Sequence, residues 1–312
     1  MVSLVYQFTK LEVGFKEIAS LKLSISSNWF FLAFACLLMP LNWLTECGKW
    51  FLTMRVSYSI SWRTCIKCVL MGVSVSLVTP NRIGEYFGRV AGVNPDQRGA
   101  GILTTLLGGF AQNLITWTAG ILSVLFLFNE QIEFSSYFNT SYTLVVILLT
   151  LAGFVVFFKI SWIKKVFNYL SGKFKPLKSY VDVFEVLEQQ NYKILLKLLC
   201  LSACRYLLYM SQYVLLLYFL GIECSLQYAF AGVAFIFFIQ ASIPLPAGLG
   251  LIMRGNVSLL VWGTLCSASM LGVVASYLLF IINFSLTAFL GVYFFFKSDI
   301  SFKQIKHVEN SH

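Results

Sequence analysis

Charge is what this chain has least of. Only 12% of its 312 residues are Asp, Glu, Lys or Arg, about half of the roughly 25% usual in a water-soluble domain. The scarcity is concentrated. Almost no charge interrupts residues 28–45, 101–128, 141–158, 206–222 and 268–296, and each run is near or above the ~18–20 residues that cross a hydrocarbon core. Histidine is lacking too: His307 and His312, both in the tail, are the two in the chain, which excludes a histidine base within the membrane. There is no GxxxxGK[ST] loop for an ATP motor and no Gly-x-Ser-x-Gly elbow for an acyl-transfer nucleophile. The sixteen residues after Phe296 are too few for a soluble catalytic domain. No cofactor and no metal site is expected, because neither the Cys65/Cys68 pair nor the Cys200/Cys204 pair has a partner pair of ligands nearby in sequence. The eight cysteines read as ordinary buried thiols.

What is present is apolar and aromatic. Hydrophobic residues make up 58% of the chain and aromatics 17%, with a mean hydropathy of +0.79. This composition describes an all-α polytopic membrane protein, since a β-barrel would alternate in short segments. Residues 1–27 hold Lys10, Glu12, Lys16, Glu17 and Lys22 and no unbroken apolar run, so no cleavable signal is read there. Leu4, Phe8, Leu11, Phe15 and Ile18 recur at helical spacing, which predicts an interfacial segment over 1–27.

The net charge of +10 marks topology rather than a nucleic-acid partner. Lys and Arg in short loops mark the cytoplasmic side. Residues 159–197 carry eight lysines, residues 49–67 carry four basic residues and no acid, and the tail carries Lys297, Lys303 and Lys306. All three read as cytoplasmic. Loops 129–140 and 221–227 carry no basic residue and read as external. Residues 68–100 must then enter from the cytoplasm and return to it. Val69–Val78 is about 15 Å of helix, half a bilayer, and Pro80 breaks it. The segment 228–267 does the same from outside: the arm Ala229–Ile239 ends at "IPLPAGLG", residues 243–250. The predicted organisation is therefore a membrane repeat over 28–158 with a re-entrant hairpin at 64–97 and a cytoplasmic basic linker at 159–197. A second, inverted repeat over 198–296 has its hairpin at 228–263, and a cytoplasmic tail covers 297–312. Inverted repeats with Pro-broken helices at the midplane are a transporter pattern.

Chemistry should sit at the two hairpin tips. In "TPNRIGEYFGR" (79–89), Arg82, Glu85 and Arg89 share a helix face at i, i+3, i+7. Gly84 and Gly88 at i, i+4 let a second helix approach closely. Intramembrane charge suggests function, and two Arg against one Glu suit an anionic headgroup or phosphate; a self-neutralising structural pair is the competing reading. Thr79, Pro80 and Asn81 open this tip, where a helix N-terminus would add its positive end. At the second tip Pro244, Pro246, Gly248 and Gly250 precede Arg254, which has no acid between Glu223 and Asp299. Glu85 from the other hairpin is the expected partner of Arg254, a lipid phosphate the rival. Gln112, Asn113, Thr116 and Trp117 sit mid-span, and Asn42 and Glu46 share a face near the end of the first span; interhelical hydrogen bonding is the plainer role for these. Ile163, Val166, Phe167 and Leu170, with Lys164 and Lys165 between them, form a basic amphipathic stretch that would rest on anionic inner-leaflet lipid or serve only as a positive-inside loop.

"TPNRIGEYFGR", with "LNWLTECGKW" (41–50) before it and "PLPAGLG…RG" (244–255) after it, resembles the transmembrane region of lysylphosphatidylglycerol synthases, the flippase-like domain family of bacterial inner membranes. The likeness runs over about residues 28–296, and the family's usual first helix is not evident before residue 28. The resemblance implies the membrane part alone, moving an amphiphile with an anionic headgroup, a lipid or lipid-linked molecule, between leaflets. It places Thr79, Pro80, Arg82, Gly84, Glu85 and Arg89 in one motif and Pro244, Gly248, Gly250 and Arg254 in the other. Leu251, Ile252 and Met253 stand where many relatives carry a Glu. A membrane-embedded lipid or lipid-sugar transferase, and a scaffold for a separate synthase, are the alternatives; a transporter is preferred to an enzyme.

Overall fold

The computed structural model describes residues 2–79, 83–130, 140–173, 182–243 and 247–297, and among these the secondary structure is helical throughout. The order is α1 (Val2–Met54), α2 (Trp62–Val78), α3 (Gly84–Ala91), α4 (Arg98–Asn129), α5 (Thr140–Phe158), α6 (Ser161–Lys173), α7 (Glu185–Glu188), α8 (Tyr192–Phe219), α9 (Leu226–Ser242), α10 (Ala247–Leu265) and α11 (Ser269–Lys297). Among the described residues, four stretches are long and apolar enough to cross a membrane: 28–54, 95–129, 192–219 and 269–297. A fifth crossing is possible if α5 and α6, bent at 82°, count as one. The chain is a polytopic helical membrane protein.

Helix α1 runs without a break through the segment expected to lie apart at 1–27. It has 53 residues, about 80 Å at 1.5 Å per residue. Local signals set the other ends. Ser61 Oγ accepts from Thr64 N at 3.1 Å and Asn191 Oδ1 accepts from Ile194 N at 3.0 Å, capping α2 and α8. Gly221, at φ 75°, ends α8: Gly221 N donates to Tyr218 O and Ile222 N to Leu217 O, both at 3.0 Å. That bonding is a Schellman stop, which needs a left-handed residue.

Among the described residues of 68–100, neither α2 nor α3 is as long as a full span. Helix α2 has 17 residues and α3 has 8, and they pack against each other. The arm is longer than Val69–Val78 because Ser61 starts it at Trp62. The glycines explain the closeness. A Cβ on Gly88 would lie 2.7 Å from Gly72 Cα, and one on Gly84 would lie 2.5 Å from Val75 O. Thr79 Oγ1 accepts from Gly84 N at 2.8 Å and donates to Val75 O at 3.1 Å, tying the end of α2 to the start of α3. Helices α9 (17 residues) and α10 (19) form the second short pair. Helix α9 is apolar on every side and buried on every side from Ala231 to Phe238, as an all-apolar helix must be.

The packing partners form a pattern. Helix α1 packs on α8; α2 on α11 and α9 on α4; α3 on α4 and α10 on α11; α8 on α4 and α1 on α11. Two apolar cores result. One, around Trp43, Trp50, Cys65, Val69 and Leu198, surrounds the α2–α3 pair. The other, around Tyr213, Phe237 and Trp262, surrounds α9–α10. Helix α5 lies at the rim, with Leu144, Val145, Leu148, Leu149 and Val155 exposed. The expectation of eight ordinary thiols is corrected: Cys224 and Cys266 form a disulfide across a Cα–Cα distance of 5.8 Å. It joins the loop before α9 to the turn before α11, which sequence spacing of 42 residues gave no reason to pair. Cys65 and Cys68 are buried and unpaired, and Cys200 and Cys204 are exposed.

Candidate functional site

Helix α1 buries a polar stripe. Asn42, Glu46, Lys49 and Thr53 stand at i, i+4, i+7 and i+11 and are 1%, 6%, 2% and 0% exposed. In an apolar helix such a stripe must face protein and find partners. Glu46 is the hub. Its Oε1 accepts from Arg89 Nη2 of α3 at 2.6 Å. Its Oε2 accepts from Lys49 Nζ at 2.9 Å and from Arg205 Nη1 of α8 at 3.0 Å. Arg89 also pairs with Glu85 one turn back. Lys49 Nζ donates to Gln112 Oε1 of α4 at 3.1 Å, and Gln112 Nε2 donates to Ser202 O at 3.2 Å. Two carboxylates (Glu46, Glu85) thus meet three cations (Lys49, Arg89, Arg205), leaving one excess positive charge. Arg205 lies over the Trp43 ring at 5.4 Å, a cation–π contact.

Arg205 also faces a cavity of ≈ 230 Å³ where the two cores meet. Six helices wall it: α1 with Asn42 and Trp43, α4 with Gln112 and Thr116, α8 with Arg205, Tyr206 and Tyr209, α9 with Phe237 and Gln240, α10 with Arg254, and α11 with Asn283 and Phe284. Among the described residues no acidic side chain lines it. Asn283 is held in place, accepting from Asn42 Nδ2 at its Oδ1 (2.8 Å) and from Trp43 Nε1 at its backbone oxygen (3.0 Å). On the lining residues, the buried atoms Arg254 Nη1, Arg205 Nε, Gln240 Nε2, Tyr206 Oη and Asn42 Oδ1 make no hydrogen bond to any described residue. Three of these are pure donors, Tyr206 Oη can donate, and only Asn42 Oδ1 is a pure acceptor. Buried polar groups are normally satisfied. A lining with surplus donors, two guanidiniums and no carboxylate suits a ligand rich in acceptors and negative charge.

The sequence-derived candidates divide between the two places. Arg254 and Gln112 line the cavity, as does Thr116. Arg89 and Glu85 belong instead to the ion cluster. The expected Glu85–Arg254 pair is not formed: Arg254 lies over Phe280 at 5.6 Å, and Glu85 does not line the cavity. Asn113 is exposed, because one residue past Gln112 turns about 100° around the helix. Thr79 and Gly84 join α2 to α3, as described above. A Cβ on Gly250 would meet nothing within 4 Å, so packing does not demand a glycine there. Gly248 falls in the first turn of α10. Pro80, Asn81, Arg82, Pro244 and Pro246 lie outside the described residues.

Sequence reasoning noticed Asn42 and Glu46 but did not assign them to a site, and it missed Lys49, Tyr206 and Gln240. The signal for Lys49 was its place on the Asn42–Glu46 face. Gln240 is the one uncharged polar side chain in the arm Ala229–Ala241 able to donate from an amide, yet nothing in the sequence says what it faces. Among the described residues no group of three or more His, Cys, Asp or Glu is placed to hold a metal.

No curated protein and no solved structure matches the chain. The family described as the lysylphosphatidylglycerol synthase TM region matches residues 2–291, so the match begins well ahead of residue 28. With nearly the whole length covered, the chain belongs to the lysylphosphatidylglycerol synthase transmembrane-region family.

Proposed function

We propose that the protein is a flippase-like transporter that moves an amphiphile with an anionic headgroup between leaflets, binding the headgroup in the central cavity. The observation that carries this is the cavity's unmatched donors around Arg205 and Arg254. At ≈ 230 Å³ the cavity is just below the ~300–1,000 Å³ typical of whole-ligand pockets. It suits a headgroup whose acyl chains stay in the lipid. Arg254 is the principal contact because no carboxylate among the described residues neutralises it; Arg205 presents one edge to the ligand and the other to Glu46.

Transport would come from two inverted repeats, α1–α4 and α8–α11, rocking against each other around this site. Three features support that reading. Exchanging α1 with α8, α2 with α9, α3 with α10 and α4 with α11 maps the packing partners onto one another. Pro80 and Gly84 recur 164 residues later as Pro244 and Gly248. Gly120 and Gly291 each lie 22 residues after the first residue of their helix (98 to 120, 269 to 291), and each presses on the opposite repeat's hairpin arm, at Phe238 and at Leu70 with Ser74. Both short pairs would then be re-entrant, with their tips near the midplane. With no ATP motif, movement would be downhill or ion-coupled.

In this proposal the C-terminus is cytoplasmic, in a bacterial inner membrane, and the Cys224–Cys266 disulfide fits the oxidising external face. A membrane-impermeant maleimide added to intact spheroplasts should label Cys224 and Cys266 only after reduction. Labelling that requires permeabilised membranes would reverse the orientation.

For the site itself, Arg254→Ala, reconstituted in proteoliposomes, should lower flipping of a fluorescent anionic phospholipid by ~10–100-fold. That is the loss of one charged hydrogen bond of about 1.5–3 kcal/mol. Folding should be retained, since Arg254 has no ion-pair partner among the described residues to strand. Wild-type flipping rates in a folded Arg254→Ala protein would remove the headgroup site from this cavity.

A further inference from the structure

Helix α6 divides into two faces that do different things. Its inner face holds it to the protein. Phe167 stacks on Phe184 at 4.1 Å, Ile163 packs on the core around α2–α3, and Ser171 is buried. Lys164 Nζ donates to Glu188 Oε2 at 2.7 Å. The outer face carries Trp162, Val166 and Tyr169 at i, i+4 and i+7, exposed by 49%, 58% and 65%. Lys159 reaches over Trp162 at 4.4 Å and Lys173 over Tyr169 at 4.7 Å, and Lys165 is exposed beside them. Among the described residues no acid lies on this face: within α6 there is none, and the Glu185 and Glu188 carboxylates are drawn to Lys164 on the inner side.

The stripe expected from the sequence to meet lipid, Ile163–Val166–Phe167–Leu170, is therefore split. Ile163 and Phe167 are used up in tertiary packing, and the exposed surface is turned toward Trp162 and Tyr169. Because the inner contacts fix the rotation of the helix, the outer face cannot be turned inward. Helix α6 stands at 82° to α5, whose own apolar residues are exposed along its length. If α5 crosses the bilayer, α6 lies in the plane of its surface.

We infer that the Trp162–Val166–Tyr169 face of α6 docks on an anionic bilayer surface. Tryptophan and tyrosine favour the headgroup level, where ring and water meet. Lysines that fold their stems over aromatic rings bury apolar length while keeping their ammonium groups at phosphate depth. Each basic residue near an anionic surface is attracted by about 1 kcal/mol, so Lys159, Lys165 and Lys173 together favour anionic over zwitterionic lipid. The docked helix anchors the junction between the two repeats. The inference does not depend on transport: it can fail while the cavity binds its headgroup, and the reverse.

The test uses the full chain with Cys36, Cys200 and Cys204 replaced by Ser. Nitroxide labels are placed at Val166→Cys or Asn168→Cys, in nanodiscs of phosphatidylcholine with and without phosphatidylglycerol. The label at 166 should collide with oxygen severalfold more, relative to a water-soluble nickel complex, than the label at 168, and phosphatidylglycerol should widen that gap. Exchanging Lys159, Lys165 and Lys173 for Glu should abolish the phosphatidylglycerol effect. Equal water exposure at 166 and 168 in both lipids would overturn the inference and leave the face to a protein partner such as a separate synthase.

Discussion

Glu46→Ala should be the most damaging single side-chain truncation in the protein, lowering stability by about 3–5 kcal/mol, the range for stranding one partner of a buried ion pair. Three cations converge on this carboxylate within 3.0 Å, from α1, α3 and α8. Without it, Lys49 and Arg205 lose their one ion-pair partner among the described residues and Arg89 keeps Glu85 alone, at sites 2% to 20% exposed. Arg89→Met should cost less than Glu46→Ala, since it leaves Glu46 two cations. In a double-mutant cycle the pair should show coupling at or above the ~0.5–3 kcal/mol typical of neighbouring charged groups. The measurement is loss of monodisperse protein on heating in detergent, with Arg254→Ala as the comparison that should not move. If Glu46→Ala melts with the wild type, the cluster is not what joins α3 and α8 to α1.

The second large effect is expected at the glycines where α4 crosses α9 and α11 crosses α2. A Cβ on Gly291 would lie 2.0 Å from both Leu70 O and Ser74 Oγ, and one on Gly120 would lie 2.3 Å from Phe238 Cβ. A backbone carbonyl cannot rotate away, so at Gly291 the helices must separate. Overpacking of this kind costs about 1–3 kcal/mol for added methyl groups, and sometimes more. Gly291→Ala and Gly120→Ala should both fall at or above the top of that range, and the valine variants should fail to assemble. Gly109 supplies the contrast: it lies in α4, and a Cβ there would meet nothing within 4 Å. Gly109→Ala should be neutral, or stabilising by up to ~1 kcal/mol through helix propensity. The same thermal assay reads all three, and a Gly291→Ala protein as stable as Gly109→Ala would mean that the crossing is looser than the structure has it.

Much of the architecture was legible because hydropathy and charge act locally. The apolar run at 101–128 falls in α4, those at 206–222 and 268–296 coincide with the end of α8 and with α11 to within three residues, and Gly84 and Gly88 announced a close helix partner. Gly84 is the first residue of α3. Less of the site was legible. Arg89 and Arg254 look alike in sequence, each following a Pro–Gly tip, but their surroundings differ. One is enclosed between two carboxylates and the other lies over an aromatic ring at a cavity edge. Asn113 was grouped with Gln112 by adjacency, although neighbours on a helix point apart. Glu46 was seen as one of a polar pair rather than as the acceptor for three helices.

The sequence by itself determined that this is a helical membrane protein, where its long helices run, and its family. Those properties follow from the composition of contiguous stretches and from motifs a few residues long. Only the tertiary structure decided which arginine is paired with carboxylates and which lines the cavity, which face of α6 is exposed, and that Cys224 meets Cys266. Each of these depends on which side chains from distant helices come within a few ångströms, and in a low-dielectric interior that proximity decides whether a charge is compensated.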